Sequence, residues 1–492
     1  MDWYADHRHG SARWASHTEI QNAGLYEPGG VFLGICPYTG RYLWLHGDQP
    51  ICLLGGAGTG KGTSILAYNN FYPSNMLIFN PKGEIGAMIQ AHQKAVGKEY
   101  YTINPAGLHT GPPWKLPQHK VNPFDILKPD SPLLVSDCKR IAAMFIEIGE
   151  TKNKFFPIRA RQWMENLLVA YVMAYQNPTL TGFMRLLNEI ESNPQKFKER
   201  AENVFMKLGI EAVTRTMYEI INKRTSAPEE YSGVMSTITG EMSFMSDPRL
   251  QELFSGADFS LDVLIQKNPP SVVDIAFPAE NLDIWNKALR LIVGVSILYQ
   301  QRSPGAKAFF MIDEAAQMGH FEELERSFTY GRSFYRTMAV FQDIGQIETN
   351  YSKPGIQTFL GSSQAKIFIG IRDYETAQLV SNMLGNQTVE VEDPKYSAQA
   401  RQAKHQVMSA VLFGGADPFQ AGREIVHWKH EERHREKIQI PLLTPDQILT
   451  LPDNRSIIFL SGLNVPPILA YRQPYYERPD VAGAFMPNPF HM

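Results

Sequence analysis

The feature that most constrains this chain is the run Gly55-Gly56-Ala57-Gly58-Thr59-Gly60-Lys61-Gly62-Thr63. It follows the apolar Ile51-Cys52-Leu53-Leu54 and precedes the helical Ser64-Ile65-Leu66-Ala67-Tyr68. The spacing is G-x-x-x-x-G-K. A strand that turns through glycines into a helix curls successive backbone N–H groups around one point, and the helix N-terminus adds positive potential there. Phosphate oxygens suit that cradle, with Lys61 as a point charge for the β- and γ-phosphates. Gly55, Gly58, Thr59, Gly60, Lys61, Gly62 and Thr63 are therefore the expected nucleotide-binding residues. Gly62 replaces the hydroxyl residue that normally ligates Mg²⁺. Thr63 is the next hydroxyl and the candidate on the metal side, although it lies about 100° further round a helix. The alternative is a glycine-rich turn with a chance lysine.

Hydrolysis needs more than a cradle. A second strand must present one carboxylate to hold a metal and, as a rule, another to polarise water. Ala308-Phe309-Phe310-Met311-Ile312-Asp313-Glu314 offers both at the end of an apolar run. Asp313 is the expected Mg²⁺ ligand and Glu314 the expected catalytic base; the competing reading is an acidic N-cap for a helix over Phe321 to Thr329. Gln342 ends the apolar Met338-Ala339-Val340-Phe341, where an amide can sense a γ-phosphate or position water. Arg332 follows a helical segment and is the candidate arginine finger for a neighbouring subunit, with Arg336 as its rival and a solvated surface arginine as the plain alternative.

Further buried-strand candidates are Met76–Phe79, Val272–Phe277, Ile367–Ile371 and Ile457–Leu460, short and apolar on both faces, as in a parallel sheet covered by helices. The chain therefore reads as α/β. Residues 1–50 form a β-rich lead-in, 51–130 and 251–492 the nucleotide-binding domain, and 131–250 an all-α domain inserted into it. Residues 390–437 read as a polar, flexible insertion. Two to four domains suit 492 residues. A formal net charge of -3 excludes a simple polycation that coats nucleic acid. Cys36, Cys52 and Cys138 have no metal or disulfide spacing and suit a reducing compartment. No window reaches the roughly 18 apolar residues of a spanning helix, and the start has no signal-peptide pattern. Any membrane contact is expected through a partner.

Several ordered segments resemble the TraG-like coupling proteins of conjugation and type IV secretion. They are His9-Gly10-Ser11-Ala12-Arg13-Trp14-Ala15, the loop with Lys61 followed by glycine, and Asn80-Pro81-Lys82-Gly83-Glu84, where Asn80 replaces the family's Asp. Val121–Asp125, Ser232–Thr237, Asp313-Glu314 through Gly319, Phe341-Gln342-Asp343 with Gln346, Leu443–Asp446 and Pro474-Tyr475-Tyr476 also agree. The resemblance implies a RecA-like P-loop motor domain carrying an all-α domain. It implies ATP and Mg²⁺ as cofactors, and a homo-hexamer at the cytoplasmic face of the bacterial inner membrane. The partners it implies are a relaxase–single-stranded DNA complex or effector proteins on one side and the secretion channel on the other. Two other readings share the nucleotide site: a DNA translocase of the FtsK/HerA kind, and a nucleotide-switched substrate receptor that does not pump.

Two features stand apart. His427, His430 and His434 have helical spacing but read as a solvated helix face rather than a metal site. Lys152, Lys154, Arg159 and Arg161 around Phe155, Phe156 and Trp163 can hold single-stranded DNA, or form an amphipathic helix with snorkelling cations, the reading favoured here.

Overall fold

The computed structural model describes residues 10–148, 154–302, 305–392, 394–413, 417, 422–427 and 435–490. The strands among them are β1 Val31–Ile35, β2 Tyr42–Leu45, β3 Ile51–Gly55, β4 Met76–Phe79, β5 Glu99–Ile103, β6 Ser271–Ile275, β7 Phe309–Ile312, β8 Arg336–Phe341, β9 Ala365–Ile369, β10 Asn386–Glu392, β11 Arg435–Pro441, β12 Arg455–Leu460 and β13 Ile468–Tyr471. Eleven of these make one sheet in the order β2-β1-β13-β12-β9-β3-β8-β7-β4-β6-β5. Every pair from β9 to β5 is parallel. From β9 through β12, β13 and β1 to β2 the pairing is antiparallel.

The pleat sorts side chains to two cores. Ile51 and Leu53, Met76 and Ile78, Phe309 and Met311, and Met338 and Val340 enter one cluster. Their alternates Cys52 and Leu54, Leu77 and Phe79, Phe310 and Ile312, and Ala339 and Phe341 enter the other. A strand buried on both faces must be apolar at every position, which is why these runs show no alternation in sequence. Ile457–Leu460 had the same look, yet β12 runs antiparallel to β9, with Ile457 opposite Phe368. Strand composition reports burial, not direction. β5 escaped notice because Glu99 opens it and it lies at the sheet edge.

Between β5 and β6 the described elements are helices and turns, with no strand. The principal helices are Leu134–Phe145, Phe155–Ala174, Leu180–Ser192, Glu211–Ser226 and Pro228–Glu241. Thr179 caps the third by accepting from the Gly182 N–H. Trp163, Leu167 and Tyr171, four residues apart, are buried on the long second helix. They belong to the same continuous core as Leu54, Phe79 and Ile312 of the sheet. The helical region therefore has no core of its own; it is packed onto one sheet face.

The expected polar insertion includes the end of β10, a helix at Pro394–Phe413 and the start of β11. β10 and β11 pair antiparallel from Asn386 with Pro441 to Glu392 with Arg435. An isolated two-stranded ribbon buries little apolar surface, which accounts for the polar composition. No helix among the described residues is long and apolar enough to cross a membrane.

Candidate nucleotide site

β3 lies next to β8, which lies next to β7. Leu54 pairs with Phe341, and Ile312 pairs with Ala339. Because the three strands are parallel, their C-terminal ends deliver the Gly55–Thr63 loop, Gln342 and Asp313-Glu314 to the same edge of the sheet. Gly58 and Gly60 have φ of 70° and 79°, a left-handed backbone that costs other residues about 1–2 kcal/mol. A Cβ at Gly55 would stand 2.8 Å from the Ile369 carbonyl oxygen. The glycines thus let the loop both curl and lie close to β9.

Lys61 Nζ donates to the carbonyl oxygens of Gly55 at 2.5 Å and Gly56 at 3.1 Å. Its ammonium therefore folds back over its own loop. Burial lowers its pKa, and the Asp313 and Glu314 carboxylates oppose that shift. Thr59 Oγ1 donates to the Gly56 carbonyl at 2.8 Å, and Thr63 Oγ1 to the Gly60 carbonyl at 3.2 Å. Thr63 thus spends its hydroxyl hydrogen on the loop and keeps oxygen lone pairs for another partner. At Gly62 an added Cβ would approach Glu84 Oε1 at 3.5 Å, an ordinary contact. Position 62 has room for a side chain, and Glu84 is its neighbour.

Asp313 has its carboxyl pushed up to about 6, chiefly by burial and then by the adjacent Glu314, while Lys61 pulls it down. A carboxylate whose charge is disfavoured by burial and a second carboxylate gains from a cation. The donor set thus fits a hard metal ion beside a phosphate chain. Glu314 has φ 51° and ψ 50°, a strained setting for a residue with a side chain. It begins the short turn Ala315–Met318 instead of capping the later helix Glu322–Thr329, whose N-cap is Phe321. Gln342 is half-buried, and its backbone N–H donates to Gln346 Oε1 at 2.9 Å. Asp343 caps the following helix by accepting from the Gln346 N–H at 2.8 Å.

The two arginine candidates separate clearly. Arg336 is 2% exposed and donates from Nη1 to the Leu45 carbonyl at 2.9 Å. It is a core residue of β8 and does not reach outward. Arg332 is exposed, between the exposed aromatics Tyr330 and Phe334. It precedes β8 whereas Gln342 follows it, so Arg332 lies at the opposite edge of the sheet from its own Lys61 loop.

Sequence reasoning missed two cations beside the loop. The stem of Arg372, which follows β9, would stand 3.2 Å from a Cβ at Gly56. Arg472, directly after β13, is buried and donates from Nη1 to the Thr59 carbonyl and, at 3.1 Å, to Ser64 Oγ. Its Nε donates to the Arg455 carbonyl at 3.1 Å. A lone arginine closing the apolar stretch Ile468–Tyr471 was the available signal. The helix Glu84–Ala95 has Gly83 as its N-cap, and Asn80, with its amide oriented to accept, takes the N–H groups of Glu84 and Ile85 at its first turn. The Asn80 side-chain carbonyl oxygen is the acceptor there, so an Asp is not required for that contact.

The suggested basic–aromatic patch is mostly structural. Trp163 is buried, Arg159 pairs with Glu219 at 3.5 Å, and Arg161 donates to the Ile146 carbonyl at 2.9 Å. Phe156 lies where any Cβ at Gly233 would fall. Lys152, His430 and His434 lie outside the described residues, as does His9. Among the described residues no group of three His, Cys, Asp or Glu side chains is placed to hold a metal by itself.

Comparison with known proteins follows the same lines. The family described as Type IV secretory system Conjugative DNA transfer matches residues 13–410 and 426–490. The conjugal transfer protein TraG of Agrobacterium fabrum is 21% identical over 98% of this chain and 72% of its own length. Protein VirD4 of the same organism is 25% identical over 95% of this chain and 66% of its own length. Among solved structures, an unbound form of the bacterial conjugative coupling protein TrwBdeltaN70 superposes with a TM-score of 0.59 at 16% identity, covering 97% of this chain and 96% of that one. TrwB in complex with ADP and Mg²⁺ gives 0.58 at 15% identity, covering 96% of each chain. The fold is thus the RecA-like P-loop fold, and the chain belongs to the type IV secretory system conjugative DNA transfer family, among the TraG/VirD4-like coupling proteins.

Proposed function

We propose that this chain is an ATP-hydrolysing coupling protein that recruits a relaxase–single-stranded DNA complex, or effector proteins, and helps move them into a type IV secretion channel. The observation that carries this reading is the meeting of the Lys61 loop with Asp313 and Glu314 at one edge of the parallel sheet. The ADP and Mg²⁺ bound by TrwB support it. Lys61 and the N–H groups of Gly58–Thr63 bind the phosphates. Asp313, with the Thr63 oxygen, holds Mg²⁺, which when bound neutralises phosphate charge. Glu314 accepts the proton of the attacking water, and Gln342 orients that water from the adjacent strand.

Arg332 serves a neighbouring subunit, since it lies across the sheet from its own loop. Active sites then form only between subunits, in a homo-hexamer, and membrane contact at the cytoplasmic face of the bacterial inner membrane comes through a channel partner. Family membership favours this reading over an FtsK/HerA-like translocase. The test is ATPase activity measured against protein concentration, with and without single-stranded DNA. Specific activity rises with both; a rate independent of concentration sinks the shared-site reading. Retained substrate transfer by a Glu314→Gln variant would instead favour a receptor that uses nucleotide only as a switch.

A further inference from the structure

Gly62 stands where a G-x-x-x-x-G-K loop ordinarily carries the hydroxyl that meets Mg²⁺. The backbone does not demand glycine there. Gly62 is not among the left-handed residues of the loop, which are Gly58 and Gly60. Among the described residues, an added Cβ would meet a single atom, Glu84 Oε1, at 3.5 Å. The space that a hydroxyl side chain would enter is thus bordered by a carboxylate oxygen from another part of the chain.

The route by which Glu84 arrives is well defined. β4 lies beside β7, and the Asp313 N–H donates to the Phe79 carbonyl at 3.2 Å. The chain leaving β4 therefore starts at the strand end that carries the acids. It turns through Asn80–Gly83, and Gly83, with φ 64°, starts the helix at Glu84. Asn80 holds the Glu84 and Ile85 N–H groups, which fixes the backbone beneath the carboxylate.

Glu84 is half-buried, and its two oxygens have different surroundings. Asn488 Nδ2 donates to Oε2 at 3.4 Å, whereas Oε1 is the oxygen towards Gly62. Asp313 feels the Glu84 charge as well as that of Glu314, which puts Glu84 on the acid side of the loop. An acid in a first helical turn also suits the helix N-terminus. That role leaves the glycine at position 62 unexplained.

We propose that Glu84 replaces the missing hydroxyl, supplying through Oε1 the oxygen that faces Mg²⁺ from the Gly62 side of the loop. Mg²⁺ keeps several of its waters, so an oxygen set back from the loop can serve as an outer partner. Glycine keeps that approach clear. The inference rests on the nucleotide reading above and adds a residue to its metal side. It makes Gly62 and Glu84 a matched pair: a bare position on the loop and an acid opposite it.

The experiment titrates a non-hydrolysable ATP analogue into the full chain by calorimetry, once with Mg²⁺ and once with EDTA. The ratio of the two affinities is the gain from the metal. In the wild type that gain is about tenfold or more. Glu84→Gln loses most of it while the affinity in EDTA stays within about twofold, as expected on removing an outer partner of a metal. Gly62→Ser in the Glu84→Gln background restores the gain, because the hydroxyl then returns to the loop. An unchanged gain in Glu84→Gln overturns the inference, makes Glu84 a helix-terminal acid and leaves the nucleotide site standing. Equal losses with Mg²⁺ and with EDTA overturn it too, as a defect of the loop. So does a double variant whose affinity in EDTA is intact but whose gain is not recovered. Binding of the analogue by the wild type in neither condition overturns the nucleotide reading and this inference together.

Discussion

Two aspartates on the strands that flank β4, Asp313 half-buried and Asp274 fully buried, show what separates a carboxylate that suits a metal site from a structural one. Asp313 follows β7 and Asp274 lies in β6. Burial is the leading cause that lifts both, Asp313 to about 6 and Asp274 to about 7. Their surroundings diverge. Asp274 is sealed beneath the helix Glu84–Ala95, beside the Tyr100 hydroxyl and against Gly86. Asp313 faces Lys61 and Glu314 at the edge where the loop, the strand ends and an exposed Arg372 gather. A shifted carboxyl alone marks burial; a shifted carboxyl with opposed charges and an open approach marks chemistry.

The sharpest way to break this contrast is at the acid's partner. Lys61→Ala should lower ATP turnover on the order of a thousandfold, with melting temperature and circular dichroism nearly unchanged. A large loss of stability instead would make the lysine a structural residue like those around Asp274. Gly86→Ala should do the reverse. Its Cβ would stand 1.8 Å from Asp274 Oδ2, so overpacking should cost about 3 kcal/mol in denaturant unfolding, with nucleotide affinity unaffected in the folded fraction.

The third test uses pH. Folded and unfolded chains both carry a protonated Asp313 below about pH 3, so the carboxyl exerts no net effect there. As pH rises towards the folded value of about 6, the unfolded chain ionises first and the ligand-free folded state loses stability. Asp313→Asn should therefore stabilise the ligand-free protein by ~2 kcal/mol at pH 7.5 and by nothing measurable below about pH 3. Mg²⁺ affinity of the wild type should fall as pH drops through about 6. The smallest effect concerns Glu314, whose φ of 51° suits glycine better. Glu314→Gly should raise stability by ~1 kcal/mol while removing hydrolysis. A destabilised variant would show that the carboxylate supports the fold.

Much of this site was legible in the chain because its signals are local. Gly55–Thr63 and Ile312-Asp313-Glu314 carry strand, turn and charge within a few residues. Gln342 was readable for the same reason, at the end of an apolar run. Arg332 and Arg336 were not separable by spacing, because β8 begins at Arg336 itself and burial follows from that start. Arg472, 411 residues beyond Lys61 in chain position, reaches the loop only because β13 and β12 extend the sheet past β9. The helical region was recognisable from its periodicity, but its fusion to the sheet core was not, since composition does not tell which surface an amphipathic helix covers.

The strand order also dictates when the chain can finish folding. β13 is an interior strand, flanked by β1 and β12. The hairpin of β1 and β2 is made before the rest of the sheet, yet the other neighbour of β1, β13, begins only at Ile468. Until then the Val31–Ile35 edge stays unpaired and apolar on both faces, the kind of edge that invites association between nascent chains. Ribosome-bound intermediates that have not yet made β13 should therefore be clients of chaperones that shield strands.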